Sequence, residues 1–198
     1  MAHPVKVVVV GDDGIGKTSL LISHFKDRFP VEDCSSTLYA HSAEVVIKGK
    51  TYPYEILDTA DADRLRPLNY PQTDVFLVCF SVDSADSFDH CRDKWFPELE
   101  YHSPGVPRVL AATRIDLRND CDTVEALVKE HRRPISTEQG RRLTQELNAW
   151  KYAECSGRTK EGLADLFDKV FDAALEGRAR PTISRPQDHV DSRPTTNG

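Results

Sequence analysis

The stretch GDDGIGKT, residues 11–18, decides the fold that this sequence predicts. It matches the pattern GxxxxGK[ST] and lies between the β-branched run KVVVV at 6–10 and the helically spaced segment TSLLISHFKDRF at 18–29. In such a strand–loop–helix unit, backbone N–H groups surround phosphate oxygens and the helix N-terminus adds positive potential. Lys17 would reach the outer phosphates, and the Thr18 hydroxyl would bind Mg²⁺. The stretch therefore predicts a nucleoside phosphate site without naming the base.

Composition narrows the class of protein. The 198 residues are 39% hydrophobic and 29% charged, which fits one soluble domain with a sizeable core and a tail. The net charge of −6 argues against general nucleic-acid binding. Five scattered cysteines without a CxxC pair favour reduced thiols over a disulfide framework or a zinc site. With no signal peptide or membrane-spanning run in view, we expect a cytoplasmic protein, with peripheral attachment to membranes left open.

Apolar runs and turn signals predict the remaining strands. The segments with strand character are 6–10, 43–47, 51–57, 75–82, 108–113 and 150–155. The second and third of them flank Lys48-Gly49-Lys50 and predict a hairpin, in which Pro53 indicates an edge or an irregular position. The others are short β-branched or apolar runs of the kind found in buried parallel strands.

Helices are expected between these strands. The pattern predicts helices at 87–102, with a kink at Pro97, at 123–131 and at 160–176. Another helix is expected to begin at the capping-box sequence STEQ, residues 136–139. Alternating strands and helices imply an α/β fold, with a central, mostly parallel six-stranded sheet and helices on both faces. We expect this domain to occupy residues 1–177, followed by a disordered tail at 178–198.

Two tetrapeptides at predicted strand ends indicate the base. In TRID, residues 113–116, the Asp116 carboxylate can accept hydrogen bonds from N1–H and the exocyclic amine of guanine, a donor pair that adenine lacks on that edge. In ECSG, residues 154–157, a backbone N–H could donate to the guanine carbonyl. Each tetrapeptide alone is a weak signal, but their order after a phosphate loop makes them reinforce each other.

At this point the sequence resembles the small GTPases, and the Rho/Rac family in particular. The resemblance covers about residues 4–177, and its family-specific parts are DRLRPLNYPQTDVFLVCFSVDSADSF at 63–88, WFPEL at 95–99 and RNDCDTVEALVKEHRRPIS at 118–136. It implies the P-loop small-GTPase fold, with a Rho-type insert helix in the segment at about 118–135. It also implies a guanine nucleotide, GTP or GDP, bound with Mg²⁺.

The resemblance assigns roles by matching position. The residues implied to contact the nucleotide are Asp13, Gly14, Ile15, Gly16, Lys17, Thr18, Ser19, Phe29, Thr113, Arg114, Asp116, Ser156, Gly157 and Arg158. Phe29 would stack near the base, and the stem of Arg114 would pack along it, although the family has Lys or Gln there. The implied metal ligands are Thr18, Asp58, through a metal-bound water, and one residue of switch I. Gapless counting from Thr18 gives Ser36 for that residue, whereas local similarity gives Thr37.

Asp13 is the first departure from the family, which has glycine there. A carboxylate at this point would face the terminal phosphate and the space that a partner's arginine finger enters. A like charge at 4 Å costs about 1 kcal/mol in water and about 4 kcal/mol at an effective dielectric constant near 20. The alternative is that Asp13 rotates into solvent and matters little.

Switch II and switch I are further departures. In LDTADADRL, residues 57–65, the triplet DTA is followed by Asp61 rather than by the family's Gly-Gln-Glu, and the segment is about three residues shorter. The glycine that senses the terminal phosphate and the glutamine that orients the attacking water are both missing near Asp61, so no catalytic residue is predicted. In switch I, Asp33 replaces an aromatic residue that usually covers the phosphates.

These departures leave two main functional hypotheses. The first is an atypical Rho-type signalling protein that stays GTP-bound, hydrolyses little or no GTP and acts through effectors. The second is a pseudo-GTPase scaffold whose partner binding is insensitive to the nucleotide. A small-molecule phosphotransferase is disfavoured by TRID, ECSG and the insert.

Effectors, and exchange factors or a dissociation inhibitor, would bind through switch I, switch II and the insert helix. The chain ends in TTNG without a prenylatable cysteine, so membrane binding is expected only if a lipidated tail is missing from this sequence.

Overall fold

The computed structural model describes residues 3–30, 39–59 and 66–179. Six strands form one sheet: β1 Val5–Val10, β2 Tyr39–Ile47, β3 Lys50–Asp58, β4 Val75–Ser81, β5 Arg108–Thr113 and β6 Lys151–Glu154. Their order across the sheet is β2-β3-β1-β4-β5-β6, and every neighbouring pair is parallel except β2 and β3. The mostly parallel six-stranded α/β fold is therefore confirmed.

The helices of the described ranges cover both faces of the sheet. They are α1 Lys17–Phe25, α2 Ala85–His90, α3 Phe96–His102, α4 Cys121–Lys129, α5 Thr137–Glu146 and α6 Leu163–Ala179. Alternate residues of β1 point to opposite faces, as the pleat requires. Val7 and Val9 join the core beneath α1 and α6, whereas Val8 and Val10 join the core beneath α2, α3 and α5. Two apolar layers thus enclose the sheet. None of the helices described is long and apolar enough to cross a membrane.

The helix predicted at 87–102 is present and is distorted by a π turn just before Pro97. α2 continues into a π turn at Cys91–Trp95, and α3 follows it. Pro97 has no N–H to donate to residue 93, and its ring would crowd that carbonyl. The Phe96 N–H instead bonds to Cys91 O, five residues back, and this wider turn accommodates the proline.

Other element boundaries shift for local reasons. α1 ends at Phe25 rather than at 29, and Asp27 beyond it has a left-handed φ of 52°. α6 begins at Leu163 rather than at 160, because Lys160 and Gly162 have left-handed φ values of 64° and 71°. It runs to Ala179, past residue 177, where we expect the domain to end.

The predicted hairpin and the predicted capping box are both confirmed. β2 and β3 form the hairpin, and Pro53 pairs with Glu44 of the edge strand β2 just before the β1-paired part of β3 begins at Tyr54. The capping box is present at the start of α5, where Ser136 and Gln139 each bond to the other's backbone N–H. α4 lies within the segment predicted as the insert and is capped by Asp120, which accepts from the Thr123 N–H at 3.0 Å.

One ion pair links the end of α6 to the amino-terminal ends of β1 and β4. Arg178, near the end of α6, makes two bonds of 2.7 Å to the Asp74 carboxylate and donates to the Pro4 carbonyl at 2.7 Å. Asp74 also accepts from the Lys6 N–H at 2.8 Å. The first strand and the last helix are therefore fixed to each other beside the start of β4.

Candidate nucleotide-binding site

The loop between β1 and α1 is shaped by glycines. Gly14 and Gly16 have left-handed φ values of 72° and 93°, which side chains rarely tolerate. A Cβ on Gly11 would lie 2.5 Å from the Cys79 carbonyl oxygen of β4. No side chain caps the start of α1, so the N–H groups of its first turn can bind an anion.

The first two residues of α1 are held by the loop and by β3. Lys17 is buried, and its Nζ donates to the carbonyls of Gly11 at 2.8 Å and Asp12 at 2.6 Å. The Thr18 hydroxyl donates to Oδ2 of Asp58, the last residue of β3. The structure therefore brings together an ammonium group, a hydroxyl and a carboxylate that are far apart in sequence.

Asp58 provides a test of whether this cluster fits a metal ion. Its Oδ1 is buried and has no hydrogen-bond partner among the described residues. Burial raises the pKa of the Asp58 carboxyl; the Thr18 hydrogen bond and the Lys17 charge oppose this rise, and Asp13 adds to it. Mg²⁺ prefers oxygen ligands, and a cation would compensate a buried carboxylate that lacks a partner. Thr18 and Asp58 thus fit the predicted magnesium site.

The Asp13 carboxylate lies close to the Lys17 ammonium group. Its Oδ1 lies 4.0 Å from Lys17 Nζ, although the Asp13 side chain is 73% exposed. Its negative charge also reaches Asp58, whose pKa it helps to raise. The carboxylate is therefore both solvated and close to the side chain that is predicted to bind the outer phosphates.

Asp12 is a site residue that the sequence analysis missed. Its Oδ1 accepts a hydrogen bond from Trp95 Nε1 at 2.8 Å, and its Oδ2 lies 2.6 Å from His90 Nδ1. Both partners belong to the helical stretch after β4, about 80 residues along the chain. No local pattern announces this contact, because it depends on how the π turn aims the indole at the loop.

A pocket of about 180 Å³ opens beside the loop, where the predicted base-reading residues meet. It is lined by Gly16, Ser19, Leu20, Phe29, Thr113, Arg114, Asp116, Leu117, Gly157 and Arg158. Leu20 and Leu117 are additions to the predicted set, and helical periodicity could have indicated Leu20, which faces the same side of α1 as Lys17. The pocket therefore gathers residues from α1, from the end of β5 and from the loop after β6.

Asp116 lines the pocket, and one oxygen of its carboxylate is unpaired within the described part of the chain. Its Oδ1 is buried without a hydrogen-bond partner in the described ranges. An acceptor left unpaired beside a pocket costs free energy, and a ligand that donates to it would recover that cost. The N1–H and exocyclic amine of guanine are such donors, so the pocket fits guanine.

Thr113 and Arg114 connect the pocket to the phosphate loop. The Thr113 hydroxyl lies 2.7 Å from the Ile15 carbonyl and 3.0 Å from the Phe80 carbonyl, and its single proton is shared between them, which ties the loop to the sheet. Arg114 donates to the Gly14 carbonyl, and its guanidinium lies 3.6 Å from Asp83. Arg114 lines the pocket, and its guanidinium also holds the loop through the bond to Gly14.

Ser156 supports the pocket rather than lining it. It is buried; its hydroxyl accepts from the Thr159 N–H at 3.1 Å, and its own N–H donates to the Glu161 carbonyl at 2.9 Å. The pocket wall is formed by the next two residues, Gly157 and Arg158. A backbone donor to guanine would therefore come from these residues and not from Ser156.

Several predicted site residues fall outside the described ranges. Ser36 and Thr37 of switch I and Asp61 of switch II are among them. Thr59, at the start of switch II, is fixed by its hydroxyl, which donates to the Val9 carbonyl at 2.8 Å. In the ranges that are described, no group of three or more His, Cys, Asp or Glu side chains could hold a metal ion by itself.

Comparison with known protein families agrees with this geometry. The Ras family model matches residues 6–176 of the chain. The matched range runs from β1 into α6 and includes the phosphate loop, Asp58 and both segments that line the base pocket.

Proposed function

The chain belongs to the Ras family of small GTP-binding signalling proteins, and we propose that it is an atypical Rho-type member that stays GTP-bound. In this proposal it hydrolyses little or no GTP and signals through protein effectors. Family membership implies a guanine nucleotide, typically bound with Mg²⁺. Lys17 and the N–H groups of the loop would hold the phosphates, Asp116 would hold the base, and Thr18 and Asp58 would hold Mg²⁺. The metal ion would neutralise phosphate charge.

The position of Asp13 carries the proposal of weak hydrolysis. Its carboxylate lies 4.0 Å from Lys17 Nζ, beside the group that is expected to bind the terminal phosphate. Hydrolysis needs extra positive charge there in the transition state, often from a partner's arginine. A carboxylate next to the phosphate opposes that build-up and would attract the arginine away from its target. The missing glutamine near Asp61 supports the same conclusion, because Asp side chains only accept hydrogen bonds when ionised.

The Rho-type assignment is supported by the segment between β5 and α5. There the chain forms α4, none of whose residues is buried, and Val128 at its end is 54% exposed. A helix with so few intramolecular contacts is suited to contact another protein. We propose that effectors and regulators bind at α4 and at the two switches, and that the protein acts in the cytoplasm.

The experiment is to denature the purified protein, identify the released nucleotide and then follow single-turnover hydrolysis of bound GTP. We expect guanine nucleotide to be recovered and GTP to persist, with or without a GTPase-activating protein. Asp13→Gly should allow at most a modest rise in rate, because the switch II glutamine is still missing. Asp165→Asn, which removes an exposed carboxylate from α6, serves as the matched control. GTP turnover as fast as in ordinary family members, stimulated by an activating protein, would refute the proposal.

A second candidate function is a scaffold that binds partners whichever nucleotide is present. It is favoured by the anchors on either side of switch II. Thr59 is tied to β1, while Arg66 is buried, forms two hydrogen bonds with Glu98 at 3.0 and 2.8 Å and lies over the Trp95 ring. Thr59 and Arg66 are therefore both held by contacts that involve no nucleotide, and a terminal phosphate would have little effect on their positions. Equal partner affinities with GDP and with a GTP analogue would favour this scaffold.

A further inference from the structure

A contact between Asp27 and Lys160 joins two sides of the base pocket. Lys160 Nζ donates to the Asp27 carbonyl at 2.9 Å and to its Oδ1 at 2.6 Å. Asp27 lies two residues before Phe29, and Lys160 lies two residues after Arg158. Phe29 and Arg158 both line the pocket. One ammonium group therefore connects the two segments that carry these lining residues.

The backbone at both residues is unusual. Asp27 has a φ of 52° and Lys160 a φ of 64°, although neither is glycine. Left-handed backbone costs free energy for residues with a side chain and persists where surrounding contacts maintain it. Lys160 bonds to both the carbonyl and the carboxylate of Asp27, so it fixes the local chain direction as well as a side chain.

The side of the pocket that carries Lys160 is firmly held. Within residues 156–161, Ser156 and Glu161 bond through their backbones at 2.9 Å, and the Thr159 N–H bonds to the Ser156 hydroxyl at 3.1 Å. Gly157 lies against α1 so closely that a Cβ would come within 3.1 Å of the Leu20 Cα. Lys160 therefore extends from a fixed loop.

The side that carries Asp27 has fewer supports. Asp27 follows the end of α1, its carboxylate is 91% exposed, and Phe29 is 44% exposed. The last backbone bond of α1 is that from the Lys26 N–H to the Ile22 carbonyl. Within the described part of the chain, the bonds from Lys160 thus help to direct the segment from α1 toward Phe29.

We propose that this Asp27–Lys160 contact, the pocket clasp, holds Phe29 over the base and slows the release of bound nucleotide. The inference rests on the proposed function, because it assumes that the pocket holds a guanine nucleotide. Lys160 and Asp27 are positioning residues here; neither lines the pocket. Their contact acts through the wall residues at 29 and 158.

The expected effect is moderate and depends on salt. Exposed ion pairs contribute little to stability, so loss of the clasp should speed nucleotide release by about two- to fivefold. Added salt screens exposed charges, so release from the wild type should accelerate toward the rate of the variant. A variant without the ammonium group should show a smaller acceleration.

The test is the release of N-methylanthraniloyl-GDP from the full chain into excess unlabelled GDP. Lys160→Met removes the donor and keeps the stem, and Lys160→Arg retains both hydrogen bonds. Asp27→Asn keeps a residue that tolerates left-handed backbone and should have a smaller effect, because the carbonyl bond remains. The matched control is Lys169→Met, since Lys169 forms an exposed pair with Asp165 at 2.6 Å on α6.

The result that supports the clasp is faster release from Lys160→Met, with Lys160→Arg and Lys169→Met close to the wild type and all melting temperatures similar. Unchanged release from Lys160→Met overturns the inference and leaves nucleotide binding intact. Equal acceleration by Lys169→Met also overturns it, since the effect would then be one of net charge. A wild-type chain that retains no guanine nucleotide overturns the proposed function, and the clasp with it.

Discussion

Trp95 Nε1 donates a hydrogen bond to Asp12 Oδ1 across 2.8 Å, and this bond joins the phosphate loop to the π turn before α3. The Trp95 indole also contacts a cation, because the Arg66 guanidinium lies 4.5 Å from the centre of the same ring. One buried tryptophan therefore contacts both the phosphate loop and Arg66.

Trp95→Phe tests that relationship. The variant keeps an aromatic ring in the core and under Arg66 but cannot donate to Asp12. A hydrogen bond to a charged group contributes about 1.5–3 kcal/mol, so we expect a loss of about that size in the free energy of unfolding, measured with urea. In a double-mutant cycle with Asp12→Ala, which removes the acceptor, the two losses should be less than additive. Additive losses would contradict a direct link.

Arg118→Met tests the support of the base-reading segment. Arg118 makes bonds of 2.8 and 2.6 Å to the Glu154 carboxylate and one of 2.9 Å to the Ile135 carbonyl. Removing one partner of a largely buried pair leaves the other charge uncompensated, so we expect a loss of about 2 kcal/mol in unfolding free energy. Arg142→Met breaks the exposed pair with Glu138 and should cost less than about 0.5 kcal/mol. Similar losses for the two variants would contradict this role.

Asp116→Asn should change which base is preferred. The amide replaces an acceptor by a donor, so guanine loses a partner, whereas xanthine presents a carbonyl in place of the exocyclic amine. We expect the affinity for GDP to fall by at least about tenfold, which corresponds to one hydrogen bond to a charged group. The affinity for XDP should rise at the same time. Titration with both nucleotides measures the exchange, and an equal fall for both would show a general loss of folding instead.

His24→Phe should flatten the pH dependence of stability. His24 stacks on Phe167 of α6 with ring centroids 3.9 Å apart, and burial lowers the His24 pKa; the charge of His41 lowers it further, and that of Asp168 opposes this. Because the folded state disfavours the charged ring, the contribution of His24 to stability is complete above the ordinary histidine pKa of 6.5 and decreases as the pH falls below it. Urea unfolding below and above that pH should show a smaller difference for His24→Phe than for the wild type. An unchanged difference would place the titration elsewhere, His41 being the next candidate because burial lowers its pKa as well.

Local sequence patterns predicted the elements whose causes are local. The strand at Arg108–Thr113, the capping box at Ser136 and the phosphate loop all follow from residues within a few positions of one another. The carboxyl ends of parallel strands then bring Asp58 and Asp116 to the same edge of the sheet. That is why the predicted nucleotide residues converge in the structure.

The remaining features depend on tertiary packing. Asp12 is fixed by side chains from a distant helix, and Ser156 uses its polar groups within its own loop instead of facing the pocket. The start of α6 is set by left-handed backbone at Lys160 and Gly162, which helical periodicity does not detect. Each of these features depends on which partner a polar group meets in the folded chain. A local sequence pattern does not contain that information.

The Arg178–Asp74 ion pair has a practical consequence for handling the protein. It fixes the end of α6 beside the start of β4, while the base pocket lies at the other end of the strands. A tether or fluorescent label attached beyond Ala179 therefore starts on the far side of the domain from the nucleotide. Immobilised on a sensor surface in this way, the molecule would turn its nucleotide face toward the solution, where soluble ligands can reach it.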